Sequence, residues 1–398
     1  MASEKNLNAV FTDIANAIRE KKGTTDQIQP INMAAEIVNL PSGGGDINWS
    51  EIGYTGTPQS VIDNFEYAKK IAREWNGSST SANNKYANNK NLVFFPLVNT
   101  SIVTDMSYMF TNCTSLTTIP QLDTSKVTEM SSMFYGCSSL KEIPQLDTSS
   151  ATSMDAMFYG SGITSVPQLD LSKATSIGSL LRECKKLTTI AEFYAPVATF
   201  VDNLFMDSKG ITTIDRISFP KATAVREIFR GCSGLTSIRE IDFPSAKIIQ
   251  SIFYGCSSLV YIPQFDTSKI NDMMYFFYKC SSLTTIPLLN TSNVTNMYGT
   301  FNSCTSLTTI PQLDVSKVGD MTNAFYKCSS LKSILMTGMK VSFDISASTQ
   351  FEKSDLVTIL NNLATVTSTK TITMGSTNLA KLTDEEKAIA TNKGWTLA

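Results

Sequence analysis

The sequence predicts an α+β repeat solenoid: ten coils of about 24 residues with parallel short strands, preceded by a helical N-terminal hairpin and followed by an α/β C-terminal cap. Three columns predict it. A bulky apolar residue recurs at Phe110, Phe134, Phe158, Leu181, Phe205, Phe229, Phe253, Phe277, Phe301 and Phe325, with one residue deleted between Phe158 and Leu181. Three residues later come Cys113, Cys137, Cys184, Cys232, Cys256, Cys280, Cys304 and Cys328, which are all eight cysteines of the chain. A Leu or Ile then falls six residues after the first column (five at Ile163), from Leu116 to Leu331. A unit this short cannot bury its own apolar face, so a regular period means stacked units that cover one another.

Within one unit, S-L-T-T-I alternates as a short strand, and the proline after it removes the next ladder donor, so the strand stops there. Asp-Thr-Ser-Lys supplies side-chain acceptors for a turn. The M-x-x-M-F run has the spacing of one helical turn. Stacked at about 4.8 Å per layer, such units form a continuous core.

The flanks differ in kind. Residues 1–40 read as a helical hairpin whose first helix aligns Leu7, Val10, Phe11, Ile14 and Ile18 on one face. A 40-residue hairpin is too small to be stable alone, so this face is expected to oligomerise, as a homotrimer, or to dock on a partner. Residues 41–45, Pro-Ser-Gly-Gly-Gly, read as a flexible linker. Residues 46–105 read as an N-terminal cap, with an amphipathic helix at 60–75 and a degenerate first coil marked by Tyr86, Asn89 and Leu92. The repeat array occupies 106–334. In the C-terminal cap, 335–398, helices are expected at 354–363 and 384–392 and a strand at 370–374, the second helix opened by a capping box, Thr383 with Glu386.

Composition removes several function classes. The chain has no histidine, which excludes Ser-His-Asp and Cys-His catalysis and histidine metal sites. Its net charge is −2 with no basic stripe, so nucleic acid is not expected as a partner. No run of 18 apolar residues offers a membrane span, and the start MASEKNLNAV lacks the pattern of a secretory signal, so synthesis in the cytoplasm is expected. The cysteine spacing matches no metal pattern and reads as a buried ladder of free thiols. No metal and no cofactor are expected.

Four features are candidates for recognition. The residue after the Phe column is Tyr135, Tyr159, Tyr254, Tyr278 and Tyr326 in five coils, a ladder suited to stacking on sugars or on a partner's apolar surface, or to coating the array. Five of the seven arginines fall between 182 and 239; Glu192, Arg216 and Glu240 share one column, so Arg216 should be neutralised within the protein, while Arg182 and Arg230 sit in the Tyr column, freer to bind. The Asp column (Asp123, Asp147, Asp170, Asp242, Asp266, Asp314) reads as turn caps compensated by Lys126, Lys173, Lys269 and Lys317, with calcium binding the open alternative. Outward Thr and Ser on the strands give a flat, uncharged polar face.

The unit V-T-x-M-x-x-M-F-x-x-C-x-S-L resembles the BspA-like leucine-rich repeats of bacterial surface proteins and of gut phages and prophages. The N-terminal L-N-A-V-F-T-D-I-A-N-A-I-R-E-K is similar to a segment opening many phage tail-associated proteins, and the C-terminal S-T-N-L-A-K-L-T-D-E-E-K-A-I-A-T-N-K-G-W-T-L to an ending of such repeat proteins. The resemblance implies a non-catalytic binding protein: a tail fibre-like receptor-binding or adhesion protein that recognises a glycan or protein on a bacterial surface, carried in a virion and held to a tail protein by the hairpin. Two alternatives remain, a bacterial BspA-like surface adhesin at the cell surface and a solenoid polysaccharide depolymerase. The latter needs two carboxylates flanking a glycosidic bond, yet no coil pairs acids beside clustered Trp.

Overall fold

The computed structural model describes residues 63, 64, 67, 70, 71, 73–75, 78–165 and 169–398. The expected hairpin, its face of Leu7, Val10, Phe11, Ile14 and Ile18, and the linker lie outside the described residues. The chain divides into two compact units. One takes in the residues up to 128 with 133–150 and 161–169; the other takes in 129–132, 151–160 and 170–398.

Each unit is built by laying equivalent residues over one another. In the first, Tyr86 stacks on Phe110 at 6.0 Å between ring centroids, and Phe110 on Phe134 at 5.7 Å. In the second, the rings of Phe205, Phe229, Phe253, Phe277, Phe301 and Phe325 follow one another at 5.6 to 5.9 Å and within 14° of parallel. All these phenylalanines are buried. Burying one such side chain is worth roughly 1.5–3 kcal/mol, and an aromatic pair adds about 0.5–1.5 kcal/mol.

The M-x-x-M-F segment is not a helical turn. It is a chain of tight turns in which alternate amides bond inward and onward: Met109 and Thr111 donate to Met106 and Tyr108 of their own coil, whereas Phe110 and Asn112 donate to Met133 and Tyr135 of the next. This zigzag needs a left-handed residue two positions before and two after the Phe column. Tyr108 and Asn112, Glu227 and Gly231, and Tyr275 and Lys279 are such pairs, with φ between 55° and 72°. Asn84 and Asn88 flank Tyr86 in the same way, at 56° and 62°. Left-handed backbone costs a non-glycine residue about 1–2 kcal/mol, which the inter-coil hydrogen bonds offset.

The cysteines serve the same stacking. All eight are free and buried, and each Sγ–H donates to the carbonyl of the preceding coil's Phe-column residue or, for Cys113, to Tyr86. In a coil without cysteine, Ser208 takes the place, its hydroxyl donating to the Leu181 carbonyl at 2.6 Å. Burial pushes the Cys113 thiol up to about 11 and the Cys328 thiol up to about 12, and raises the Cys232, Cys256, Cys280 and Cys304 thiols as well. These are donors in a core, not nucleophiles.

Strand length follows proline position. Ten residues after the Phe column stand Pro120, Pro144, Pro263, Pro287 and Pro311, and around them pairing shrinks to single bridges or to β4 (Thr309–Ile310) beside β5 (Ser333–Ile334). Leu335 occupies that position in its coil, and its N–H donates to the Ile310 carbonyl at 3.0 Å, the bond that proline cannot make. The central coils carry Ala191, Asp215 and Arg239 there, and full strands form: β1 (Thr189–Tyr194), β2 (Thr213–Ser218) and β3 (Ser237–Asp242), parallel and in the order β1-β2-β3. The expected uniform short strand is therefore corrected to long central and minimal outer ones.

The second unit ends in a parallel sheet of β6 (Phe343–Asp344), β7 (Lys370–Thr373) and β8 (Trp395–Leu397), with helices α1 (Lys353–Asn361), α2 (Ser376–Leu379) and α3 (Asp384–Thr391). Thr383 and Glu386 form a reciprocal capping box at the start of α3.

Two outcomes follow from this stacking. Phe229→Ala should cost about 3–5 kcal/mol in urea unfolding, and Phe229→Leu, which copies Leu181, about 1.5 kcal/mol or less. Thiol titration of the unreduced protein should label eight cysteines after denaturation and few before it; any pair lost to a disulfide contradicts the structure.

Candidate recognition surface

The residue after the Phe column and most residues two before and two after it lie at the surface of the coil, whereas the residue just before it, as at Met109, Ile228 and Phe276, is buried with Phe. In the second unit this edge gathers aromatic and cationic side chains. Tyr254 and Tyr278 stack at 4.4 Å, Tyr275 meets both edge-on at 6.1 and 5.3 Å, and Tyr298 meets Tyr275 at 5.1 Å. The Arg230 guanidinium lies 4.7 Å from the Tyr254 ring centroid, and Arg182 lies 5.0 Å from that of Tyr159. Desolvation, and after it the neighbouring Tyr278, raise the Tyr254 hydroxyl above its ordinary value, so Tyr254 is a neutral phenol at physiological pH.

Neither arginine stands free, contrary to expectation. Arg230 pairs with Glu227, three residues before it in the turn, at 2.7 Å. Arg182 lies 4.0 Å from Glu183, which also accepts a 2.8 Å hydrogen bond from the Tyr159 hydroxyl. The acid sits beside each arginine because the left-handed position of the turn, two before or two after the Phe column, is Glu in these coils. The edge is therefore a set of Arg–Glu–Tyr clusters that present polar planes and little net charge. Tyr135 and Tyr159 are half-buried, as are Tyr254 and Tyr278, while Tyr326 is 49% exposed. Tyr275, Tyr298 and Lys279 belong to the same surface and were not among the residues singled out from sequence. Their signal is faint, because the three fall in different columns and the column two before Phe holds Tyr only at Tyr108 and Tyr275.

The other candidate faces are occupied by the protein's own bonding. Arg216 is held between Glu192 at 3.0 Å and Glu240 at 2.9 Å, in register across β1, β2 and β3. At the strand entries and the equivalent position of the first unit, Thr212, Thr236, Thr308 and Thr117 donate their hydroxyls to carbonyls of the preceding coil, which leaves this face with fewer free donors than its composition implies. Asp123, Asp147, Asp170, Asp266 and Asp314 each accept the backbone N–H two residues on, from Ser125, Ser149, Ser172, Ser268 and Ser316. Those serine bonds hold Asp123, Asp170, Asp266 and Asp314 below the usual carboxylate range, with the following lysines the smallest contribution. Two of the lysines expected as partners reach elsewhere, Lys269 to the Pro244 carbonyl and Lys317 to Asn293. Asp242 departs from the column. Its second neighbour is Pro244, which has no N–H, and the carboxylate accepts from Ser218 instead.

Among the described residues no group of three or more Cys, Asp or Glu is placed to hold a metal ion, and no helix is long and apolar enough to cross a membrane.

Comparison with known proteins agrees with a leucine-rich repeat fold of parallel strands. Residues 158–272 match six copies of the BspA type leucine rich repeat region. Among solved structures, the chain is similar to a leucine-rich repeat protein of T. pallidum at 18% identity, covering 53% of this chain and 79% of that one with a TM-score of 0.25. A leucine-rich repeat protein from Eubacterium ventriosum matches at 17% identity, over 63% and 82% of the two chains, with a TM-score of 0.24. The functional domain of InlJ from Listeria monocytogenes, described as including a cysteine ladder, matches at 14%, over 72% and 70%, with a TM-score of 0.19. No curated protein matches the chain. Matched over residues 78–193 and 247–358, more than half its length, the chain belongs to the family described as Mycoplasma protein of unknown function, DUF285.

Proposed function

We propose that this chain is a non-catalytic recognition protein that adheres to a glycan or protein on a bacterial surface through the Tyr-rich edge of its repeats. The observation that carries the reading is the continuous aromatic stack: Arg230 over Tyr254, Tyr254 on Tyr278, and Tyr275 and Tyr298 closing its side. Tyrosine and arginine give large, rigid, amphipathic contact area at low entropic cost, which is why they dominate recognition surfaces. The ladder in full is Tyr135, Tyr159, Tyr254, Tyr278 and Tyr326 with Arg182 and Arg230, set on a ten-coil array with capped ends. The ten-fold count rests on the sequence register.

The setting we propose is a phage tail, on the likeness of the N-terminal segment to one that opens many tail-associated proteins. Leu7, Val10, Phe11, Ile14 and Ile18 then form the contact with a tail protein or with two further copies of the chain. The match to BspA type repeats favours a second setting, a surface adhesin. Both settings share the same recognition edge.

Replacing Arg182, Arg230, Tyr254 and Tyr278 together by Ala should weaken attachment to the target bacterium at least about tenfold, some 1.4 kcal/mol, with an unchanged far-UV circular dichroism spectrum. Incubation with purified capsule or cell-wall glycan should give binding without new reducing ends; release of sugar would make the chain a depolymerase. For the anchor, Phe11→Asp with Ile14→Asp in the full chain should abolish self-association or tail-protein binding in sedimentation while leaving attachment intact. Unchanged sedimentation would remove the anchoring role.

A further inference from the structure

The second unit carries one arrangement that the Arg–Glu clusters do not explain. Lys279 follows Tyr278 and Lys327 follows Tyr326, each in the sequence Tyr-Lys-Cys and two coils apart. Their ammonium groups lie over the tyrosine rings, at 5.4 Å and 5.3 Å from the centroids. Both lysines are exposed, and neither has an ion pair with a carboxylate among the described residues. Arg182 and Arg230, one position earlier in their turns, are both answered by a glutamate.

The backbone makes the two lysines equivalent. Each occupies the left-handed position after the Phe column, at φ of 60° and 61°, so both side chains leave the coil in the same direction. Between them Ser303 holds the same conformation, at 61°, and its hydroxyl donates to Asn302, leaving a small polar step. The cations thus repeat at two coils along an edge whose Phe rings advance by 5.9 and then 5.7 Å. The ring beneath each ammonium restrains a flexible side chain and places an aromatic face beside the charge.

The geometry points to Tyr278–Lys279 and Tyr326–Lys327 as a paired anion clamp for an acidic polysaccharide that carries one carboxylate or sulfate on every second sugar. A pyranose residue in an extended chain is about as long as one coil is thick, so charges on alternate sugars meet Lys279 and Lys327 while the intervening sugar lies over the half-buried Ser303. A polymer charged on every residue would put its middle anion where no cation stands. Two cations on a chain of net charge −2 also fit nucleic acid poorly. This inference rests on the recognition reading above and names its ligand class.

Calorimetric titration of the full chain with a hyaluronan decasaccharide, which bears one carboxylate per disaccharide, tests it. Binding is expected, with a loss of roughly tenfold or more for the carboxyl-reduced oligosaccharide and for Lys279→Gln with Lys327→Gln, and with a shallower salt dependence in that variant. Lys247→Gln, at an exposed lysine in another column, should bind as wild type. Equal binding of acidic and reduced oligosaccharides, an unaltered double variant, or equal binding of polyglutamate overturns the assignment. If the chain attaches to bacterial cells but the lysine variant attaches equally well and hyaluronan is ignored, only this inference falls. If it attaches to neither, the recognition reading falls with it.

Discussion

Every coil has to cover the apolar edge of the coil before it, and at the Phe column the covering is done by stacked, fully buried rings. Ring follows ring at 5.6 to 5.9 Å in the second unit, and each cysteine thiol is bonded back to the carbonyl of the residue it lies against. The spacing fixes the rest. Amides between the rings can find acceptors only by alternating between their own coil and the next, and that alternation forces two left-handed residues per turn. Those two positions, with the residue after Phe, supply most of the side chains that reach the surface there, Ser132, Ser251 and Asn302 being buried exceptions. The core requirement therefore creates the edge for which we propose a recognition role.

Because the same backbone recurs, side chains on this edge vary without disturbing the stack. Glutamate at a left-handed position gives a neutralised arginine, as at Glu227 with Arg230; lysine there gives a cation over a tyrosine, as at Lys279, with no carboxylate partner among the described residues. Tyrosine two positions before Phe gives the close cluster around Tyr275. Different ligands can be addressed by one scaffold in this way, since the surface columns are energetically separable from the Phe, Cys and Leu columns beneath them.

The columns of Phe, Cys and Leu were legible in the sequence because identical residues at a fixed period have one economical explanation, mutual burial. The turn was misread for a physical reason. M-x-x-M-F spacing satisfies a helix as well as a zigzag, and only the recurrence of Gly and Asn two residues after Phe, at Asn112, Gly136, Gly231 and Gly255, hints at left-handed backbone. Strand length was legible in principle, since Ala191, Asp215 and Arg239 stand where other coils have proline. Of the surface, the neutralisation of Arg216 followed from its column, but the pairing of Arg230 with Glu227 did not, because it depends on the direction in which a left-handed residue projects its side chain.

The central claim is that recognition belongs to the edge beside the Phe column and not to the strand face. Hydrogen–deuterium exchange of the full chain, with and without a saturating bacterial-surface glycan, measures this directly. Slower exchange on binding should concentrate in the turns holding Arg230, Tyr254, Tyr278 and Tyr326, with β1, β2 and β3 unchanged. Protection confined to those three strands, with the turns unaffected, would contradict it.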